Sequence, residues 1–157
     1  MLRLHLVFVG KTSFPEIDAG INRYRERLRH YAPTQIHIVK AEKISKNMPE
    51  DKIKQLEGER ILKLVSENGH LLVWDQRGKQ VDSIGFARFL QKIMNQGVSD
   101  LWMVIGGPLG AAPALLERAN SVLALSRLTF PHDLARLLVT EQLYRGFCIL
   151  EGTPYHK

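Results

Sequence analysis

Leu101-Trp102-Met103-Val104-Ile105-Gly106-Gly107-Pro108-Leu109-Gly110 is the stretch on which the fold turns. Its first half is apolar without alternation, as expected of a central strand covered on both faces by helices. Its second half is a glycine loop. Glycines placed directly after a buried strand let backbone N–H and C=O groups approach a ligand with no Cβ between them. On the N-terminal side, residues 2–9 read as a strand with Leu2, Leu4, Leu6 and Phe8 on one face. Ser13, Pro15 and Glu16 carry the capping chemistry of a helix over 15–30. A short strand at 35–40 follows, then a lysine-framed loop at 41–48 and a second helix at 49–66. A strand at 70–75 leads to a turn at Arg77-Gly78, and Asp82 or Ser83 caps a helix that runs to Asn95. Beyond the glycine loop come a short helix at 112–119, a short strand at 122–125 and a long helix that begins at Asp133. Strands alternating with helices predict an α/β fold, a mostly parallel sheet flanked by helices.

A chain of 157 residues is long enough for one domain with a substantial core, here 1–157, and short for two. The formal net charge of +6 favours a polyanionic partner, because Lys and Arg displace the counterions condensed on a phosphate backbone. Cys148 is the single cysteine, so an intrachain disulfide is excluded, and its apolar helical surroundings fit a buried, inert thiol. No apolar run approaches the roughly 20 residues of a membrane helix, and the N-terminus alternates like a strand rather than a secretory leader. The expectation is a cytoplasmic protein with no membrane association.

Ligands of open α/β sheets bind beyond the carboxyl ends of the strands, and three such ends stand out. They are Trp74-Asp75 with the turn to Gly78, the loop from Gly106 to Gly110, and the segment from Ser126 to His132. The glycine spacing is neither Gly-x-Gly-x-x-Gly nor a loop followed by Gly-Lys-[Ser/Thr], so dinucleotide and triphosphate fingerprints do not fit. Leu128 and Phe130 could wall a ligand pocket, but composition alone favours packing beneath the sheet. His5, His30, His37 and His70 stand singly with no metal-ligand spacing, so no metal is expected, and Gly-x-Ser-x-Gly is absent. The tail Pro154-Tyr155-His156-Lys157 concentrates a phenol, an imidazole and a cation, groups able to complete a site on their own subunit or a neighbour's. Arg23 and Arg27 share one face of the first helix, which is either an RNA track or a solvated surface.

Four motifs occur in order: Ile-Gly-Gly-Pro-x-Gly, Leu-Ser-x-Leu-Thr-Phe-Pro-His, Arg136-x4-Glu141-Gln142-x-Tyr144-Arg145, and a terminal Pro-Tyr-His-Lys. Together they resemble the ribosomal RNA large subunit methyltransferase H family, and the likeness spans the chain. The resemblance implies an S-adenosylmethionine-dependent enzyme of the SPOUT class with a C-terminal trefoil knot, a feature so rare that pattern reading would not propose it. It implies a homodimer whose site is completed across the interface. The implied substrate is a pseudouridine of large-subunit (23S) rRNA, methylated at N3 on the assembled 70S ribosome. Carried over by motif, the donor pocket takes Trp74, Gly106, Ser126, Arg127, Leu128, Thr129, Phe130 and Pro131. Tyr155 and His156 inherit a role at the target base, with His156 accepting the N3 proton or ordering a water that does. Arg136 and Lys157 would engage phosphate, with Arg23 and Arg27 as further RNA contacts. Trp74 and Leu109 depart from the family pattern, which commonly has a smaller aliphatic and an acidic residue there.

Overall fold

The structure, a computed structural model, describes residues 1–157. In chain order the elements are β1 (Arg3–Val9), α1 (Pro15–Leu28), β2 (Thr34–Val39), α2 (Glu50–Leu64), β3 (His70–Gln80), α3 (Ser83–Asn95), β4 (Asp100–Ile105), α4 (Pro113–Arg118), β5 (Ser121–Ala124) and α5 (His132–Glu151). The five strands form one sheet in the order β2-β1-β4-β3-β5, and every neighbouring pair is parallel.

Alternation along β1 sorts its side chains onto two cores, because successive Cβ atoms leave a strand on opposite faces. Leu2, Leu4, Leu6 and Phe8 join the larger cluster with Ile21 and Leu28 of α1, Phe86 and Leu90 of α3, and Val139 and Leu143 of α5. Val7 and Val9 join the other cluster, with Val73 of β3, Val104 of β4, Ile61 of α2 and Leu115 of α4. Helices α1, α3 and α5 therefore cover one face of the sheet, and α2 and α4 the other. From Leu101 to Ile105 every residue of β4 is buried, as the unbroken apolar run predicts.

Two local expectations are corrected. Ser13 does not cap α1: the N-cap is Phe14, with no side-chain cap, and Pro15 opens the first turn. The Ser13 N–H donates instead to Asp133 Oδ2 at 2.8 Å, tying the entry of α1 to the start of α5. The Asp82 cap does form, accepting from the Gly85 N–H. Arg77-Gly78 does not end β3 either. The strand leaves its register with β5 after Trp74 and regains it at Lys79, opposite the same Leu123. Gly78 permits this, since a Cβ there would lie 2.6 to 2.7 Å from backbone atoms of Val122 and Leu123. A turn-forming dipeptide is thus used for close chain passage, which local propensity cannot distinguish from a hairpin signal.

Candidate functional site

Strands β4, β3 and β5 lie side by side, so the segments leaving their carboxyl ends converge. Between them opens a cavity of about 690 Å³, within the range of small-molecule sites. Its lining comes from Trp74 to Arg77 after β3, the whole run Ile105 to Gly110, and Leu125, Ser126, Leu128, Phe130 and Pro131 after β5. His132 and Ala135 at the start of α5 and Lys54 of α2 complete the wall. The three strand ends singled out in the sequence are therefore one site.

The glycine loop is shaped by backbone. A Cβ on Gly106 would press to 3.3 Å from the carbonyl carbon of Gly110 and 3.4 Å from its oxygen. Gly110 has φ of 86°, in the left-handed region that glycine enters at little cost, and its N–H closes the turn onto the Gly107 carbonyl at 3.0 Å. Facing the loop, Asp75 receives the Arg77 side chain through Nε at 2.8 Å and Nη2 at 3.0 Å, and the Arg77 backbone N–H at 2.9 Å. The Arg77 guanidinium, helped by that backbone N–H, holds the Asp75 carboxyl below the usual carboxylate range against the opposing effect of burial. Arg77 Nη2 also reaches the Ala111 carbonyl at 3.5 Å, linking the end of β3 to the end of the glycine loop.

An adenosyl donor fits these residues. Exposed loop backbone, apolar walls from Leu125, Leu128 and Phe130, and an ion pair at the rim suit a ligand with a flat heterocycle and polar substituents. Trp74 Nε1 is buried without a hydrogen-bond partner, a free donor on a residue that lines the cavity. Leu128, at 71% exposure, is an uncovered apolar side chain at its mouth. The expectation that Leu128 and Phe130 pack beneath the sheet is corrected: both line the cavity. Leu109 lines the cavity too, in place of the acidic residue of the family pattern. No group of His, Cys, Asp and Glu side chains able to hold a metal ion occurs.

Of the residues assigned to the donor pocket, Trp74, Gly106, Ser126, Leu128, Phe130 and Pro131 line this cavity. Arg127 lines a smaller adjoining hollow with Gln76, Gly78, Gln80 and Ser126, and Thr129 lies exposed outside both. Lys54 was missed, because one lysine on the polar side of a helix carries no sequence signal.

Tyr155 and His156 do not reach the cavity. After α5 the chain turns at Gly152, and the tail folds back along the last turns of the helix. The Tyr155 hydroxyl donates to Glu141 Oε1 at 3.1 Å and lies 3.5 Å from the Tyr24 hydroxyl of α1. The Tyr155 ring packs edge-on to Tyr144, with the Arg145 guanidinium 4.8 Å from its centroid. Burial, then the contacts with Tyr24 and Glu141, push its phenol well above the ordinary tyrosine range. His156 lies against Arg145, Nδ1 to Nη1, at 3.1 Å. Arg27 joins this cluster, 5.6 Å from the Tyr144 ring centroid, while Arg23 and Lys157 are exposed. At 1.5 Å per residue, Glu141 stands about 15 Å along α5 from the Pro131 that lines the cavity.

Arg136 is not a phosphate contact. It has no exposed surface; its Nη2 donates to the Val9 carbonyl at 2.7 Å, its Nη1 to Thr12 Oγ1 at 3.0 Å, and its guanidinium covers the Phe8 ring. A guanidinium sealed beneath the β1–α1 connection has no path to RNA.

The comparisons with known proteins agree with this architecture. The family model "Predicted SPOUT methyltransferase" matches residues 2–156. The chain is 57% identical over 157 residues to the ribosomal RNA large subunit methyltransferase H of Syntrophobacter fumaroxidans, covering 99% of this chain and 100% of that protein. It is 42% identical over 155 residues to the protein of the same name from Christiangramia forsetii, with 99% of each chain covered. Among solved structures, a probable methyltransferase from Bordetella pertussis superposes with a TM-score of 0.59 at 9% identity, over 92% of this chain and 94% of that one. A probable methylase family protein from Haemophilus influenzae superposes with 0.56 at 16% identity, over 100% of this chain and 72% of that one. These two likenesses concern the fold; the full-length sequence matches carry the kinship, and the chain belongs to the SPOUT methyltransferases, within the ribosomal RNA large subunit methyltransferase H family.

Proposed function

We propose that this protein methylates N3 of a pseudouridine in large-subunit (23S) rRNA on the assembled ribosome, in the cytoplasm, with S-adenosylmethionine as donor. The observation that carries this reading is the cavity built from the glycine loop and the ends of β3 and β5, in a chain whose full-length relatives are named for rRNA methylation. A bound sulfonium donor supplies an already activated methyl group, so the protein's task is to place donor and base in line. Gly106 and Gly110 bring backbone to the donor, and Leu125, Leu128 and Phe130 wall its heterocycle.

The tail lies at the other end of α5 from its own cavity, which supports a homodimer in which each tail serves the partner's pocket. Tyr155 and His156 then meet the target base, and Arg27, which lies over Tyr144 beside the tail, engages phosphate with the exposed Arg23 and Lys157. Membership of the SPOUT family supports a C-terminal trefoil knot.

The test has two arms. Isothermal titration with S-adenosylmethionine is expected to show saturable binding that Gly106→Val abolishes; no heat at high protein concentration would reduce the protein to an RNA binder. Labelled donor is expected to mark one pseudouridine in 70S ribosomes and to leave naked rRNA unlabelled. Label confined to tRNA would overturn the substrate.

A further inference from the structure

The tail histidine raises a chemical question that the contact with Arg145 answers. A guanidinium has five N–H donors and no acceptor, and it stays protonated throughout the working range. Here Glu141 reinforces the charge, taking Arg145 Nε at 2.9 Å and Nη2 at 2.6 Å and raising the guanidinium further above its ordinary value. The remaining arm, Nη1, lies 3.1 Å from His156 Nδ1. That bond forms only if Nδ1 offers a lone pair, because an N–H at Nδ1 would face the Arg145 N–H. A neutral imidazole carries one ring proton, so the proton sits on Nε2.

We infer that Arg145 is a positioning residue that locks His156 as the Nε2–H tautomer, so that His156 meets the target base as a hydrogen-bond donor and not as the acceptor of the N3 proton. This rests on the reading that the tail serves the methylated uracil ring. When N3 loses its proton to water or hydroxide, the electron pair of the N–H bond stays on the ring, and negative charge spreads onto the two flanking carbonyl oxygens. A fixed N–H aimed at one of them stabilises that charge as an oxyanion-hole donor does. The polar groups recorded about the folded-back tail fit this role: Arg145 against His156, Glu141 and Tyr24 against the Tyr155 hydroxyl, and Tyr144 against the Tyr155 ring, with Arg27 over Tyr144. The single carboxylate among them is occupied by Arg145 and Tyr155, leaving none to hold an Nδ1–H in the way that catalytic histidine bases require.

Two measurements decide it. Long-range proton–nitrogen correlation spectra of the free protein with labelled histidine read the tautomer directly, whatever the RNA substrate proves to be. Nitrogen shifts of an unprotonated Nδ1 and a protonated Nε2 are expected at His156, giving way to a tautomer mixture in Arg145→Met and restored in part by Arg145→Lys. An Nδ1–H in the wild-type protein overturns the proposal. Single-turnover methylation of ribosomes then separates donor from base, because glutamine places an amide N–H where Nε2–H stands and cannot take a proton. His156→Ala is expected to slow methylation by about 10²–10³-fold. His156→Gln is expected to stay within about tenfold of wild type, since a donor is kept. Equal losses in the two variants, with donor affinity and folding unchanged, overturn the donor role.

Discussion

Asp75 and Arg77 sit two residues apart where β3 leaves the sheet, and their ion pair fastens that segment to the Ala111 carbonyl beyond the glycine loop. Arg77 holds the Asp75 carboxyl below its ordinary range, so the sign of the pH effect follows. A carboxylate whose folded-state pKa is depressed stabilises the fold fully above its unfolded pKa of about 3.9, and that contribution disappears as pH falls through the lower folded value. Arg77 is 62% exposed, so solvent screening limits the pair to about 1 kcal/mol at neutral pH. Asp75→Asn is expected to lose that contribution and, with it, part of the acid sensitivity of the fold. Urea midpoints measured from neutral pH down through the carboxylate range should converge for variant and wild type; curves that stay parallel would remove the ion pair from the account. Asp75 was legible as a strand-end residue, but its partner was not, because nothing in Asp-Gln-Arg says whether the side chains fold together or point apart.

Helix α5 carries three tasks along its 20 residues. Its first turn walls the cavity through His132 and Ala135, its tenth residue, Glu141, starts the polar chain to the tail, and Arg136 lies between them in the core. Asp133 and Arg136 face each other at 3.6 Å, both buried, and together hold the β1–α1 connection through Ser13, Thr12 and the Val9 carbonyl. Removing one partner of a buried charge pair leaves the other uncompensated, so Arg136→Met is expected to destabilise the protein by about 3–5 kcal/mol in chemical denaturation. The double variant Arg136→Met/Asp133→Asn should recover part of the loss. A phosphate-binding arginine would instead leave stability unchanged and weaken ribosome affinity. The motif Arg136-x4-Glu141 gives both residues the same prominence in sequence, yet one points into the core and the other to the tail. That division depends on which face of α5 meets α1 and the sheet.

At the scale of the whole molecule, the cavity and the tail are held apart by α5, so one chain does not bring its own Tyr155 and His156 to its own cavity in this conformation. A dimer with exchanged tails predicts complementation. Gly106→Val, defective in the pocket, and His156→Ala, defective in the tail, should each be poorly active alone and regain partial activity when unfolded and refolded together. Activity no greater than the sum of the separate variants would place tail and pocket of one chain in the same site. The sequence by itself determined the α/β alternation, the buried run of β4, the shared face of Leu2, Leu4, Leu6 and Phe8 on β1 and, through its four ordered motifs, the family. Those features are local periodicities or fixed residue spacings, and a chain carries them without folding. Only the tertiary structure decided that β3 continues past Arg77-Gly78, that Ser13 binds Asp133 instead of capping α1, and that Arg136 is sealed in the core. It also decided that Arg145 meets His156 at Nδ1. Each of these depends on a contact between segments distant in sequence or on the direction of a side chain, and neither is written in the order of residues. The glycine loop shows both halves: its composition announced a ligand site, while the cavity required three strands to end side by side.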